Sequence, residues 1–136
     1  MILADTSAWV EFDRATGSAV DARLTDLIAD DGPITVTEPV VMEVVCGART
    51  EARERDLRRL LGRFRLEPFD PVTDFDGGAR IYRRCRAAGI TPRGLLDCMI
   101  AAVALRIGAT LLADDVDLSR VAEVVGLELD PASRRP

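Results

Sequence analysis

The 136 residues are 48% hydrophobic and carry a formal net charge of -5, which fits one domain over residues 1–136 and argues against polyanion binding driven by bulk charge. No His, Lys, Asn or Gln occurs and all 18 basic residues are arginine, so a Ser-His-Asp triad, a histidine general base, a Schiff-base lysine and a phosphate-loop lysine are all excluded. Any catalysis must use carboxylates, hydroxyls, thiols, arginines or a bound metal.

In chain order, "ILAD" reads as a short buried strand, and "TSAWVEFDR" as a helix capped by Thr6 or Ser7. Val20, Leu24, Leu27 and Ile28 fall at helical spacing between Ser18 and Asp30, and Asp31-Gly32-Pro33 ends that helix. "ITV" (34–36) is a second strand. Thr37 opens a helix that runs to Gly47, and Thr50 to Gly62 is a charged helix with Leu57, Leu60 and Leu61 inside. "FRLEPF" (64–69) reads as a strand, and Asp70-Pro71 as the start of a helix toward Gly89. The most apolar helix runs from about Gly94 to Gly108. "TLLA" (110–113) is a buried strand with "DDVD" as its polar exit, followed by a helix over "LSRVAEVVG" and then "LELD" (127–130).

Short apolar strands alternating with helices predict an α/β fold of three layers, α/β/α, around a parallel sheet of four or five strands. Such sheets place ligand chemistry at the carboxyl ends of their strands. No apolar run reaches the roughly 18 residues of a membrane span, and no charged n-region precedes the first apolar stretch, so a soluble, cytoplasmic protein is expected, with no membrane partner. Cys46, Cys85 and Cys98 are far apart and read as small buried hydrophobes.

Acids stand where apolar residues are expected. Asp5 ends "ILA", Asp114, Asp115 and Asp117 follow "TLLA", Glu43 interrupts "VVMEVVCG", and Asp97 interrupts "GLLDCMIAAVA". Singly, each suits a partly buried acid paired with arginine as well as it suits a functional group. Four of them gathered from separate segments would repel one another without a cation, and oxygen-only ligands suit Mg²⁺ or Mn²⁺.

"ILADTSAW", "VMEVVCGA", "GLLDCMIAAVALRIGATLLADDVDL" and the closing "GLEL" resemble the PIN-domain ribonucleases, specifically the VapC-type toxins of bacterial toxin–antitoxin pairs, over essentially the whole chain. The resemblance implies a catalytic acid site of Asp5, Glu43, Asp97 and Asp115, supported by Thr6, Ser7 and Asp117. It implies that Asp5 and Asp97 hold Mg²⁺, or Mn²⁺, most directly. It also implies hydrolysis of RNA to a 5′-phosphate and a 3′-hydroxyl, a VapB-type antitoxin as partner, and homodimers. Two positions depart from the family pattern: Ala113 stands two residues before the fourth acid, where a polar residue is usual, and Leu118 follows the fifth, where an aromatic is usual.

Motif register selects Asp115 over Asp114, which alternation along a strand exit turns toward solvent. Arginines cluster in "ARTEARERDLRRLLGRFR" and "ARIYRRCRAAGITPR", either as solvated helix faces or as a phosphate-contacting rim, with Arg93 the foremost RNA-binding candidate. An antitoxin segment is expected to lie in an apolar groove near Trp9, Val10 and Phe12 and to insert a basic side chain among the four acids. A receiver domain would lack its lysine, and a haloacid-dehalogenase-type phosphatase would need an acid where Ser7 stands. The remaining alternative is a non-catalytic PIN-like domain that binds RNA or a partner.

Overall fold

The computed structural model describes all of residues 1–136. The elements follow in the order β1 (Ile2–Ala4), α1 (Thr6–Arg14), α2 (Ala19–Ala29), β2 (Ile34–Val36), α3 (Glu38–Cys46), α4 (Glu51–Leu61), β3 (Arg65–Leu66), α5 (Thr73–Ala87), α6 (Leu95–Ile107), β4 (Thr110–Leu112) and α7 (Val116–Val125). The four strands form one parallel sheet in the order β3-β2-β1-β4, flanked by the seven helices. The fold is the expected three-layer α/β/α arrangement. Strands covered by helices on both faces have no solvent side, which is why β1 and β2 are buried at every residue instead of alternating.

Strand order places the site. Chain connections run from β1 outward through β2 to β3, and the chain then returns to place β4 on the other side of β1. A reversal of this kind opens a crevice at the strands' carboxyl ends, here between β1 and β4. Ala4 is in register with Leu112, and the Asp5 N–H donates to the Leu112 carbonyl at 2.9 Å. The segments leaving β1 and β4 are thereby fixed side by side.

Several predicted boundaries move, each for a local reason. The 64–69 strand shortens to Arg65–Leu66, an exposed edge paired only with β2, because Pro68 has no N–H to continue a ladder. α5 begins at Thr73, not at Asp70: the Asp70 side chain accepts from the N–H groups of Val72 and Thr73, making a turn that leads into the helix. α7 begins at Val116, so the last two residues of the "DDVD" exit belong to a helix. The stretch 127–130 adds a single parallel bridge, Leu111 to Leu129, in place of a fifth strand. Beyond it, Ser133 Oγ donates to the Leu111 carbonyl and accepts from the Ala113 N–H, so the chain end closes the outer edge of β4.

α5 and α6 form the most extensively packed helix pair. Gly77 makes this possible, since a Cβ there would stand 3.2 Å from the Ala102 Cβ. The carboxyl end of α5 therefore lies beside the amino end of α6, where Asp97 occupies the first turn.

Candidate active site

Asp5 is the first residue after β1 and caps α1. Its Oδ2 accepts from the Ser7 N–H at 3.0 Å and the Ser7 hydroxyl at 2.7 Å. Neither Thr6 nor Ser7 is the cap, as the sequence suggested, because the preceding carboxylate takes the role; both are helical. Ser7 Oγ also accepts from the Asp114 N–H at 2.9 Å, joining the two strand exits. Thr6 Oγ1 donates to Glu43 Oε1 at 2.7 Å, fixing the half-buried acid of α3 over the first turn of α1. Thr6 and Ser7 thus each hydrogen-bond one of the candidate acids, Glu43 and Asp5.

Asp115 caps α7, its Oδ1 accepting from the N–H groups of Asp117 and Leu118. Its Oδ2 lies 3.0 Å from Arg93 Nη2, and Arg93 Nε reaches Asp117. Asp117 also pairs with Arg120, which holds it on the outer rim. Asp114 departs from expectation. It is half-buried, and burial together with the neighbouring Glu11 raises its carboxyl pKa. Glu11 was missed by sequence reading, although it sits four residues after Ser7, on the same side of α1.

Four acids from four segments share one field. Asp5, 3% exposed, has its pKa pushed up to about 6, chiefly by burial, against the lowering effect of the Ser7 hydrogen bonds and with Glu43 and Asp115 adding to the rise. Asp97 is pushed up to about 7, again chiefly by burial, then by Asp5, Asp115 and Glu43, with Arg93 opposing. Asp97 therefore feels all three of the other acids. Among the buried aspartates, Asp74 and Asp130 have arginine partners, Arg106 and Arg23, and Asp21 accepts from the Gly17 N–H near the start of α2. Asp5 has no cation, and its Oδ1 is buried with no hydrogen-bond partner. No hydrogen bond contributes to the state of the Asp97 carboxylate.

These properties fit a hard divalent cation. An orphaned buried carboxylate oxygen, a second carboxylate without hydrogen bonds and the mutual repulsion of four acids are all relieved by one. No three of the acids converge on a common point at ligand distance in this conformation. Protein donors hold Glu43 and Asp115, leaving Asp5 Oδ1 and Asp97 as the unengaged pair.

The expected groove at α1 is also revised. Trp9 is 1% exposed, packed in the core against Phe12 and Phe64, and the cleft it borders with Val10 and Leu57 is only about 110 Å³ and flanked by the Arg53–Asp13 ion pair. A larger apolar concavity, about 540 Å³, lies between α3, α4 and β3, where Val41, Met42, Val45, Leu61, Phe64 and Leu66 line it.

The PIN domain family model matches residues 2–124. The chain belongs to the PIN-domain family. Within it the chain is of the VapC type: a VapC ribonuclease of Mycobacterium bovis and ribonuclease VapC11 of Mycobacterium tuberculosis are each 40% identical to it over 129 residues, 94% of this chain and 96% of theirs. Similar solved structures include FitAcB from Neisseria gonorrhoeae, with TM-score 0.75 and 24% identity over 97% of this chain and 98% of that one. VapBC2 from Rickettsia felis bound to a promoter DNA fragment gives a TM-score of 0.74 at 18% identity, over 96% and 98% of the two chains. At these identities the two structures bear on the fold alone. No helix of this PIN domain is long and apolar enough to cross a membrane.

Proposed function

We propose that this VapC-type PIN domain is a divalent-cation-dependent endoribonuclease and the toxin of a toxin–antitoxin pair. The observation that carries the reading is the unpartnered Asp5 Oδ1 inside a cluster of four mutually repelling acids at the β1/β4 crevice. The ribonucleases that share 40% of its sequence support RNA as substrate.

In this reading Asp5 and Asp97 hold Mg²⁺, or Mn²⁺, while Glu43 and Asp115 complete the charge of the site. The bound cation supplies acidity to a water molecule and neutralises charge that builds on the phosphate. Thr6 keeps Glu43 oriented, Ser7 keeps Asp5 oriented and ties it to the β4 exit, and Arg93 faces the incoming phosphate from the rim. Hydrolysis leaves a 5′-phosphate and a 3′-hydroxyl.

The partner is a VapB-type antitoxin that inserts an arginine or lysine among the four acids, and the toxin itself forms homodimers. An inserted guanidinium and a divalent cation compete for the same carboxylates, so antitoxin affinity should fall as Mg²⁺ is added. The test is incubation of purified protein with total RNA in Mg²⁺ and in chelator, followed by sequencing of the ends. Cation-dependent 5′-phosphate ends lost in Asp97→Asn are the expected result. RNA left intact in Mg²⁺ would overturn the reading.

A further inference from the structure

The two arginine clusters are not equivalent in the folded protein. On α4 the arginines are interleaved with Glu51, Glu54 and Asp56; Arg58 pairs with Glu54 and Arg53 with Asp13, while Arg55 and Arg59 are exposed and form no ion pair. Residues 77–96 hold five arginines and no acid, in a chain whose net charge is -5. Of these five, Arg80 pairs with Asp76 in the preceding turn and Arg93 pairs with Asp115 and Asp117. Arg83, Arg84 and Arg86 are exposed and form no ion pair; Arg86 stacks over the Tyr82 ring, 5.8 Å from its centroid.

Their placement on α5 is one-sided. At about 100° per residue, Arg80, Arg83, Arg84 and Arg86 span an arc of roughly 160°, opposite the buried face made by Asp74, Gly78, Ile81 and Cys85. Arg83 and Arg86 border one shallow concavity with Ala87. The helix ends at Ala87, and six residues on, the chain brings Arg93 to the rim of the acid site before α6 carries Asp97 into it. Along the chain, Arg93 thus connects the exposed arginine face of α5 to the rim of the acid site.

We infer that the Arg83, Arg84 and Arg86 face of α5, continued by Arg93, is the track along which the RNA backbone reaches the acids, and that the arginines of α4 are not. This rests on the ribonuclease reading and adds the substrate's route to it. A polyanion approaching four carboxylates needs compensating charge, and this face offers Arg83, Arg84 and Arg86, which form no ion pair, in a stretch that holds no acid. Contacts to phosphate release counterions, so each leaves a mark in the salt dependence of binding.

The test measures affinity for a labelled single-stranded RNA as a function of salt, in Mg²⁺ and in an Asp97→Asn background so that the RNA persists. Removing three phosphate contacts lowers the slope of log affinity against log salt by about 2, at roughly 0.7 per contact for single strands. The expected result is that loss for Arg83→Ala/Arg84→Ala/Arg86→Ala, restoration by the corresponding three lysine substitutions, and an unchanged slope for Arg55→Ala/Arg59→Ala on α4. Unaltered thermal unfolding of each variant is expected, since all five side chains are exposed. A slope unchanged by the α5 substitutions, or lowered equally by those on α4, overturns the inference while cleavage by the unsubstituted protein keeps the ribonuclease reading. Loss of antitoxin binding with an unchanged slope assigns the face to the partner and overturns it too. If the unsubstituted protein neither binds nor cuts RNA, both readings fall.

Discussion

Arg93 meets the acid site with Nη2 3.0 Å from Asp115 Oδ2, and its charge opposes the rise that burial and the other acids cause at Asp97. It therefore has two effects of opposite sign on cation binding: it lowers the repulsion among the acids and it competes with any other cation for Asp115. Arg93→Ala should tighten Mg²⁺ binding while weakening RNA binding, a pattern that simple misfolding would not produce. Titration calorimetry with Mg²⁺, set beside RNA anisotropy, reads both. Weaker binding of both ligands would contradict the assignment.

The Thr6–Glu43 hydrogen bond makes a second distinction. Thr6→Val keeps shape and removes the only side-chain donor that the structure gives Glu43. Loss of one such bond costs about 1 kcal/mol, and a misoriented site acid lowers turnover by about tenfold or more. Thr6→Ser should restore both. Equal activity in the valine and serine variants would show that Glu43 needs no orientation.

Asp5 and Asp97 were legible in the sequence because each interrupts an apolar run, yet that signal alone is not specific. Asp74 is 1% exposed and Asp130 2% exposed, and neither was singled out; both are buried acids neutralised by arginines far away in sequence, Arg106 and Arg23. What separates the groups is the partner, which only the fold reveals. The resemblance in motif order supplied the choice of Asp115 over Asp114, whereas strand alternation misjudged Asp114, since β4 stops at Leu112 and no strand geometry governs the residues after it. Helix ends marked by Gly108 and Gly126 were readable because both glycines adopt positive φ at the caps. The short β3 and the Asp70 turn were not, because they depend on which neighbours the edge strand finds.

The structural acids yield a control. Arg106 meets Asp74 through Nε at 2.9 Å and Nη2 at 2.8 Å and also donates to the Pro68 carbonyl. Arg106→Ala leaves Asp74 buried without its cation and should destabilise the fold by about 3 kcal/mol. Cleavage per folded molecule should stay unchanged, because neither Asp74 nor Arg106 is among the main groups that raise Asp5 and Asp97. Chemical unfolding and an active-site-normalised cleavage assay measure the two quantities separately.

The site acids predict the opposite response, and its sign follows from their raised pKa values. In the unfolded chain Asp5 and Asp97 release their protons near 3.8, whereas in the folded protein they hold them until about 6 and about 7. Between about pH 4 and 7 the folded state binds more protons, so metal-free stability contributed by these groups falls as pH rises through that window and levels off above it. Asp97→Asn cannot ionise. Relative to the unsubstituted protein it should be equally stable near pH 4 and more stable at pH 8 in chelator, by on the order of 2 kcal/mol, since each pKa unit corresponds to about 1.4 kcal/mol and solvent at the half-buried group screens part of it. Mg²⁺ at pH 8 relieves the same repulsion, so it should stabilise the unsubstituted protein more than Asp97→Asn and narrow the gap between them. Urea unfolding of both proteins at pH 4.5 and pH 8, with chelator and with Mg²⁺, gives the four comparisons. A gap that is independent of pH, or that Mg²⁺ widens, would show that repulsion among the carboxylates is not what sets the stability of the site.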